Sequence, residues 1–299
     1  MSWLLLAVLV FFWGSSFSLV TVALTDMTPG FVTGARITLA AAVVAFIAHA
    51  AAGRFPRDMN FWLWSAAIGF CALVAPFSLY TWAQETVPSG VVSIYVAATP
   101  FFVMALAFPF TDEKVTLRRA GGFVIGIAGV AALIGPVELS GFFSGDAARE
   151  AAALGSAVFF AIAAVLVRAM PRRHPLHAAA GALIMAALMH LPVTGANVPT
   201  AAVSSEALYA LLALGALQTS VMQVSRYLLI KRSGAVFASQ ASFLMPLWAV
   251  VVGWALLGET LSIADGFGLA LILFGLNVAN GGLLKPPSAP QPVKRYRRR

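Results

Sequence analysis

The chain holds a single cysteine, Cys71, which excludes a disulfide framework and a cysteine-based metal site. Acidic residues are scarce as well: Asp and Glu number 11 in 299 residues, and none falls in the middle third of a long apolar run. A buried carboxylate is the usual proton relay of a coupled carrier and the natural counter-charge for a cationic drug. Its absence points to neutral or zwitterionic cargo, with Glu85, at the end of the third apolar run, the best-placed acid if protons take part. The H-E-x-x-H and G-x-S-x-G patterns are missing, and the four histidines are scattered among helix ends and loops, so a membrane enzyme would lack its nucleophile, base or metal. No filter-like ring of charges or carbonyls suggests a channel. Neither a cofactor nor a metal is expected. The first apolar run has no basic residue before it and is too long for the apolar stretch of a cleaved signal peptide, so it is expected to be the first spanning helix. Long loops are also lacking, which leaves no soluble domain for regulation.

What the sequence has is apolar surface. Hydrophobic residues make up 61% of it and the mean hydropathy is +0.90, well above the share of about 45–50% in soluble domains. A spanning helix needs about 20 mainly apolar residues. That length divides the chain into ten candidates, at roughly 3–24, 30–51, 61–83, 90–111, 117–135, 150–169, 177–194, 205–230, 234–257 and 263–284. The runs are apolar on all sides, unlike the short alternating strands of a membrane barrel.

Charge sorts these helices. With both termini cytoplasmic, sixteen of the 19 Lys and Arg fall on the inner side, Arg149 alone falls outside, and Arg36 and Arg226 lie within helices. Eight of the 11 acids, among them Asp26, Glu85, Asp146, Glu150 and Glu206, fall on the outer side.

The chain also repeats itself. Pro100 and Pro246, Glu113 and Glu259, Gly122 and Gly268, and Gly129 and Gly275 all lie 146 residues apart. Five helices is an odd number, so the second copy enters the membrane inverted relative to the first. The turn "TDEKVTLRR" of the first copy carries three basic residues and the turn "GETLSIADG" of the second carries none, as opposite sides require. The glycines, with Gly122-x-x-x-Gly126, are expected to let helix backbones approach closely. The fold class is therefore all-α and membrane-embedded: ten transmembrane helices as two inverted five-helix repeats, residues 1–136 and 150–284. A Pro-rich, then basic tail over 285–299 is expected to be disordered and cytoplasmic, touching anionic lipid rather than nucleic acid.

The stretches "FFWGSSFSLV" and "TPGFVTGARITLA", with the doubled pattern of Pro, apolar run, Glu and Gly, resemble the EamA-type branch of the drug/metabolite transporter superfamily. Within it the chain is most similar to the aromatic amino acid exporters. The resemblance implies ten helices, cytoplasmic termini and export of small metabolites.

Inverted repeats place a substrate site near the bilayer midplane, where helices broken by proline free backbone groups. Pro76, Pro100 and Pro246 nominate the third, fourth and ninth helices. The third offers Phe77, Tyr80 and Gln84 at helical spacing, the fourth Tyr95 and Thr99 beside Pro100, and the first Trp13, Ser16 and Phe17. The eighth and ninth add Gln218, Gln223, Ser239, Gln240, Ser242 and Trp248. Together they suit an aromatic cavity with a few polar contacts, although any one of the rings fits equally well against lipid or a neighbouring helix. Arg36 has two readings: it faces the cavity to attract a carboxylate or pair with Glu85, or it snorkels outward and bonds helix-end carbonyls. Arg226, one turn from Lys231, is expected to snorkel, and His49 and His190 to sit inertly near helix ends.

The sequence thus describes a multi-pass carrier of the cytoplasmic (inner) membrane, a monomer, working by alternating access and moving a small-molecule substrate outward. Amino acids, aromatic or otherwise hydrophobic, are the expected cargo, and another neutral metabolite or drug-like compound is the alternative.

Overall fold

The computed structural model describes residues 2–87, 89–110, 116–139, 146–245, 248 and 263–280, and among them it is helical with no strand. Glu113, Pro246, Glu259 and the tail lie outside the described residues. Helices α1 (Ser2–Gly14) and α2 (Ser16–Ala23) form one span broken at Ser15, and α3 (Pro29–Ala52) follows. Next, α4 (Met59–Gly69) and α5 (Ala75–Ala83) are joined by a π-helical turn, Phe70–Val74. After α6 (Ser89–Ala97), α7 (Thr99–Phe110), α8 (Leu117–Leu139), α9 (Ala147–Ala169) and α10 (Pro175–Ala196), a second π segment, Ala213–Thr219, joins α11 (Ser205–Leu212) to α12 (Ser220–Ser233). Helix α13 (Ala235–Ser239) resumes over 241–245, and α14 (Ile263–Asn280) closes the described chain. Six of the described helical spans are long and apolar enough to cross a membrane by length and composition, and shorter apolar helices cover Val91–Leu106, Ala235–Met245 and Gly266–Ala279.

Local chemistry sets the ends and the breaks. Thr28 caps α3 by accepting from the Phe31 amide, with Pro29 in the first turn, where its missing N–H costs nothing. Asp58 and Ser204 cap α4 and α11 in the same way. In the first π turn the wider backbone precedes Pro76, whose ring would otherwise meet the carbonyl of Ala72. The second π turn contains no proline. There Thr219 Oγ1 donates to the Leu214 carbonyl at 2.6 Å and Ser220 Oγ to that of Gly215 at 3.1 Å, five residues back. The hydroxyls satisfy carbonyls that the widened turn leaves without an α-helical partner. At the first break, Ser15 and Ser16 hydroxyls turn back onto the carbonyls of Phe11 and Trp13.

Packing follows the glycines. A Cβ built on Gly122 would lie 2.5 Å from the Gly275 carbonyl oxygen, and one on Gly129 would lie 2.9 Å from that of Gly268. Because Gly268 and Gly275 lie 146 residues beyond Gly122 and Gly129, the offset turns one contact into the other, and α8 and α14 meet backbone to backbone at two equivalent points. The same relation recurs elsewhere: a Cβ on Gly69 would fall 2.4 Å from the Ala182 carbonyl, and one on Gly215 3.0 Å from that of Arg36. Gly215 and Ala182 lie 146 residues beyond Gly69 and Arg36 respectively. Only backbone approaches this closely without a side chain between, which is why small residues mark helix contacts in lipid. Outside, large apolar side chains such as Phe46, Leu63 and Phe274 are exposed.

The helix ends tie off in two groups. At one end Arg149 pairs with Glu85 at 2.9 Å, Thr86 donates to Asp146 at 3.1 Å, and the Ser204 amide donates to Asp26 at 2.9 Å. At the other, Arg173 pairs with Asp58 at 2.8 Å and the Ser233 and Ser2 hydroxyls meet at 2.7 Å. Residues expected to share a side of the membrane therefore meet each other. Side-chain and backbone hydrogen bonds from Ser204 hold the Asp26 carboxyl below its ordinary value of 3.8. A depressed carboxylate contributes stability above its unfolded value and loses it as pH falls through the folded one. Amide exchange at Ser204 is accordingly expected to be pH-insensitive in this respect above about 4 and to lose protection below it, a change absent in Asp26→Asn.

Candidate functional site

Where the broken helices cross, aromatic side chains gather in a chain of contacts. Phe17 lies 5.6 Å from Tyr80, Tyr80 5.4 Å from Phe77, Phe77 6.2 Å from Phe160, and Phe160 4.9 Å from Trp13, measured between ring centroids. All five are buried. Edge and tilted arrangements of this kind suit the ring quadrupoles.

Arg36 sits against Tyr80 and Phe77 of this chain and is fully buried. Its Nη1 donates to the Tyr80 hydroxyl at 2.5 Å, while Nε and Nη2 donate to Thr219 Oγ1 at 3.2 and 3.1 Å. The Phe77 ring lies under the guanidinium carbon at 4.2 Å. Neither expectation for its contacts within the protein holds: Glu85 is taken by Arg149, and Arg36 neither snorkels nor reaches helix-end carbonyls. A planar cation with three nitrogens engaged and a ring beneath it has enough neutral partners to stay buried.

Arg226 is the larger correction. It is buried instead of snorkelling, with Nη2 donating to the Phe160 carbonyl at 3.0 Å and its guanidinium carbon 5.7 Å from the Phe160 ring. It lines a small cavity with Trp13 of α1, Thr99 of α7 and Phe160 of α9. Ser239 and Ser242 complete the polar wall, and Leu9, Val103 and Ala164 are among its apolar neighbours. The cavity measures about 10 Å³ for water-sized contents, room for about one water molecule. Trp13 Nε1 and Ser242 Oγ are buried with no hydrogen-bond partner among the described residues. Thr99 donates to the Val96 carbonyl at the end of α6 at 2.6 Å and Ser239 to the Val236 carbonyl of its own helix at 2.9 Å, leaving their oxygens able to accept.

The predicted site residues thus divide. Trp13, Thr99, Ser239 and Ser242 line the cavity, and Phe17, Arg36, Phe77 and Tyr80 form the cluster behind it. Pro100 is buried beside Thr99. The others stand elsewhere. Ser16 bonds back to Trp13, Tyr95 donates to Glu150 at 3.2 Å, and Trp248 Nε1 reaches Ser15 at 3.1 Å. Gln84 ends α5 with both amide atoms buried and unpartnered, Gln218 and Gln223 are buried with their carbonyl oxygens unpartnered, and Gln240 is buried at the break after α13. His190 is not inert either: its ring joins Ser78 of α5 at 3.2 Å to Thr194 at 3.1 Å. Because Thr194 spends its proton on the His190 carbonyl, Nδ1 donates and Nε2 accepts from Ser78.

Arg226, Phe160 and Thr219 are the residues that sequence reasoning missed. A signal existed: Thr219, Gln223 and Arg226 recur at i, i+4 and i+7, so their polar side chains fall on one helix face.

The EamA-like transporter family matches the chain twice, over residues 1–135 and 150–281. The "Probable terminal-alkyne amino-acid exporter" of Streptantibioticus cattleyicolor is 27% identical over 250 residues, 83% of this chain and 82% of that protein. The inner membrane transporter YedA of Escherichia coli is 26% identical over 283 residues, 93% of this chain and 90% of its own. A crystal structure of 18% identity shares the fold at a TM-score of 0.75, covering 93% of this chain and 97% of that one. The chain belongs to the EamA-like transporter family and is a multi-pass membrane transporter of small molecules.

Proposed function

We propose that the protein is a secondary exporter of amino acids, preferring aromatic or otherwise hydrophobic ones, in the cytoplasmic membrane. Its ten helices form two inverted halves, residues 1–136 and 150–284, with both termini cytoplasmic, and the halves expose a central site to one side at a time. The observation that carries this reading is the small cavity where helices of both halves meet, walled by Trp13, Phe160 and hydroxyls and lined by an arginine. Aromatic walls with a few polar groups bind a small amphipathic molecule. The double family match and the contacts repeated at one offset support the two halves, and the name of the Streptantibioticus relative supports amino acids. The contacts at the helix ends support alternating exposure: Thr86 meets Asp146 at one end and Ser233 meets Ser2 at the other, latches that a carrier of this kind would open in turn to admit cargo.

Counterflow tests the reading. Proteoliposomes preloaded with unlabelled phenylalanine are expected to take up labelled phenylalanine faster than empty-loaded ones, saturably. Trp13→Phe, which removes the indole N–H and keeps the ring, is expected to raise KM by roughly three- to tenfold. Uptake no greater than in protein-free liposomes would remove amino acids as cargo.

A further inference from the structure

Among the described residues three arginines are buried, Arg36, Arg168 and Arg226, and the two that stand beside the aromatic cluster, Arg36 and Arg226, are not alike. Arg36 has Nε, Nη1 and Nη2 all bonded and an aromatic ring beneath it. Arg226 is 6% exposed yet, among the described residues, gives one hydrogen bond, to the Phe160 carbonyl. Among the described residues no carboxylate lies within ion-pair distance of it. A cation kept in a low-dielectric interior without a counter-charge is costly, and the cost falls when an anion enters beside it.

The cavity that Arg226 lines is suited to such an anion. Trp13 Nε1 is buried without a partner among the described residues, and an indole N–H only donates, so what it lacks there is an acceptor. The Ser242 hydroxyl, also unpartnered, offers a further donor on the same cavity. A planar guanidinium matches the two oxygens of a carboxylate. Beside these donors stand the rings of Phe160 and Trp13, 4.9 Å apart, as a wall for an apolar body. No Asp or Glu is among the described residues that line the cavity, so an ammonium group finds no anionic partner there.

We infer that Arg226 is the carboxylate anchor of the transport site, and that the site selects organic carboxylates with an apolar or aromatic body whether or not they carry an α-amino group. This rests on the reading of the cavity as the transport site, and it widens the cargo from amino acids to aryl carboxylic acids.

Three ligands separate the groups: L-phenylalanine, 3-phenylpropionate, which keeps the carboxylate and lacks the amine, and L-phenylalaninamide, which keeps the amine and lacks the carboxylate. Each is titrated calorimetrically into the purified, unmutated full chain in detergent, so the result does not depend on a variant folding. Both acids are expected to bind, with the amide weaker on the order of tenfold or more. Arg226→Gln, checked for folding by its melting, is expected to remove that preference, and Arg226→Lys to keep part of it. An amide that binds as tightly as phenylalanine would overturn the anchor and leave the amino acid reading standing. Binding of 3-phenylpropionate without phenylalanine would support the anchor and remove amino acids as cargo. Binding of none of the three would overturn both.

Discussion

Gly275→Leu is expected to separate α8 from α14 and to cost the folded protein on the order of 3 kcal/mol or more, the upper range for overpacking where the neighbour cannot yield. The neighbour here is main chain: a Cβ at Gly275 would lie 2.5 Å from the Gly122 carbonyl oxygen and 2.6 Å from the Gly126 amide nitrogen. A side chain that meets another side chain can turn aside, but a helix can only move as a body. Because Gly122 and Gly129 meet Gly275 and Gly268 along one seam, widening one contact widens the other. Gly122→Leu should match Gly275→Leu in size. Gly121→Leu is the control: nothing lies within 4 Å of a Cβ there, so its melting temperature in detergent should stay close to that of the parent. Equal destabilisation by Gly121→Leu and Gly122→Leu would mean that the seam is not packed as described.

Thr219→Val carries the second large effect. The two side chains have nearly the same shape, so the change removes one oxygen and little else. That oxygen accepts from Nε and Nη2 of Arg36 and donates to the Leu214 carbonyl at the π turn. Its loss strands two donors of a fully buried cation and one backbone acceptor, and a buried unsatisfied group costs about 1–3 kcal/mol, more when charged. A total of roughly 3 kcal/mol is expected, read as a lower melting temperature. Ser220→Ala removes one hydroxyl from the same turn, with its bond to Gly215, and is expected to cost about 1 kcal/mol. Equal effects from the two would show that Arg36 does not depend on Thr219.

Helix existence was legible because membrane-crossing length and all-round apolarity are properties of the chain itself: the run expected at 30–51 is the helix Pro29–Ala52. The glycine seam was legible for the same reason, since only a repeated landmark keeps one offset. The breaks were legible in part. Pro76 announced the first π turn, but the second arises where Gly215 presses against α3 and two hydroxyls catch freed carbonyls, which depends on a partner helix. Arg226 was misjudged because its depth was taken from its distance to Lys231 along the chain, whereas the face it shares with Thr219 decides where it points. Tyr95 and Trp248 left the expected site for nearby partners, Glu150 and Ser15, that lie far away in sequence.

The most direct test of a carrier with inverted halves watches both latches at once. Thr86 and Ala148 mark one, Arg232 and Ser2 mark the other, and the two pairs are equivalent at the 146-residue offset. Spin labels on each pair in a Cys71→Ser background, the chain having no other cysteine, report both distances by double electron–electron resonance. Adding substrate is expected to lengthen one distance in a fraction of molecules while the other stays short, with the fractions shifting in opposite directions. Both distances lengthening together would describe a continuous pore, and would contradict transport by alternating access.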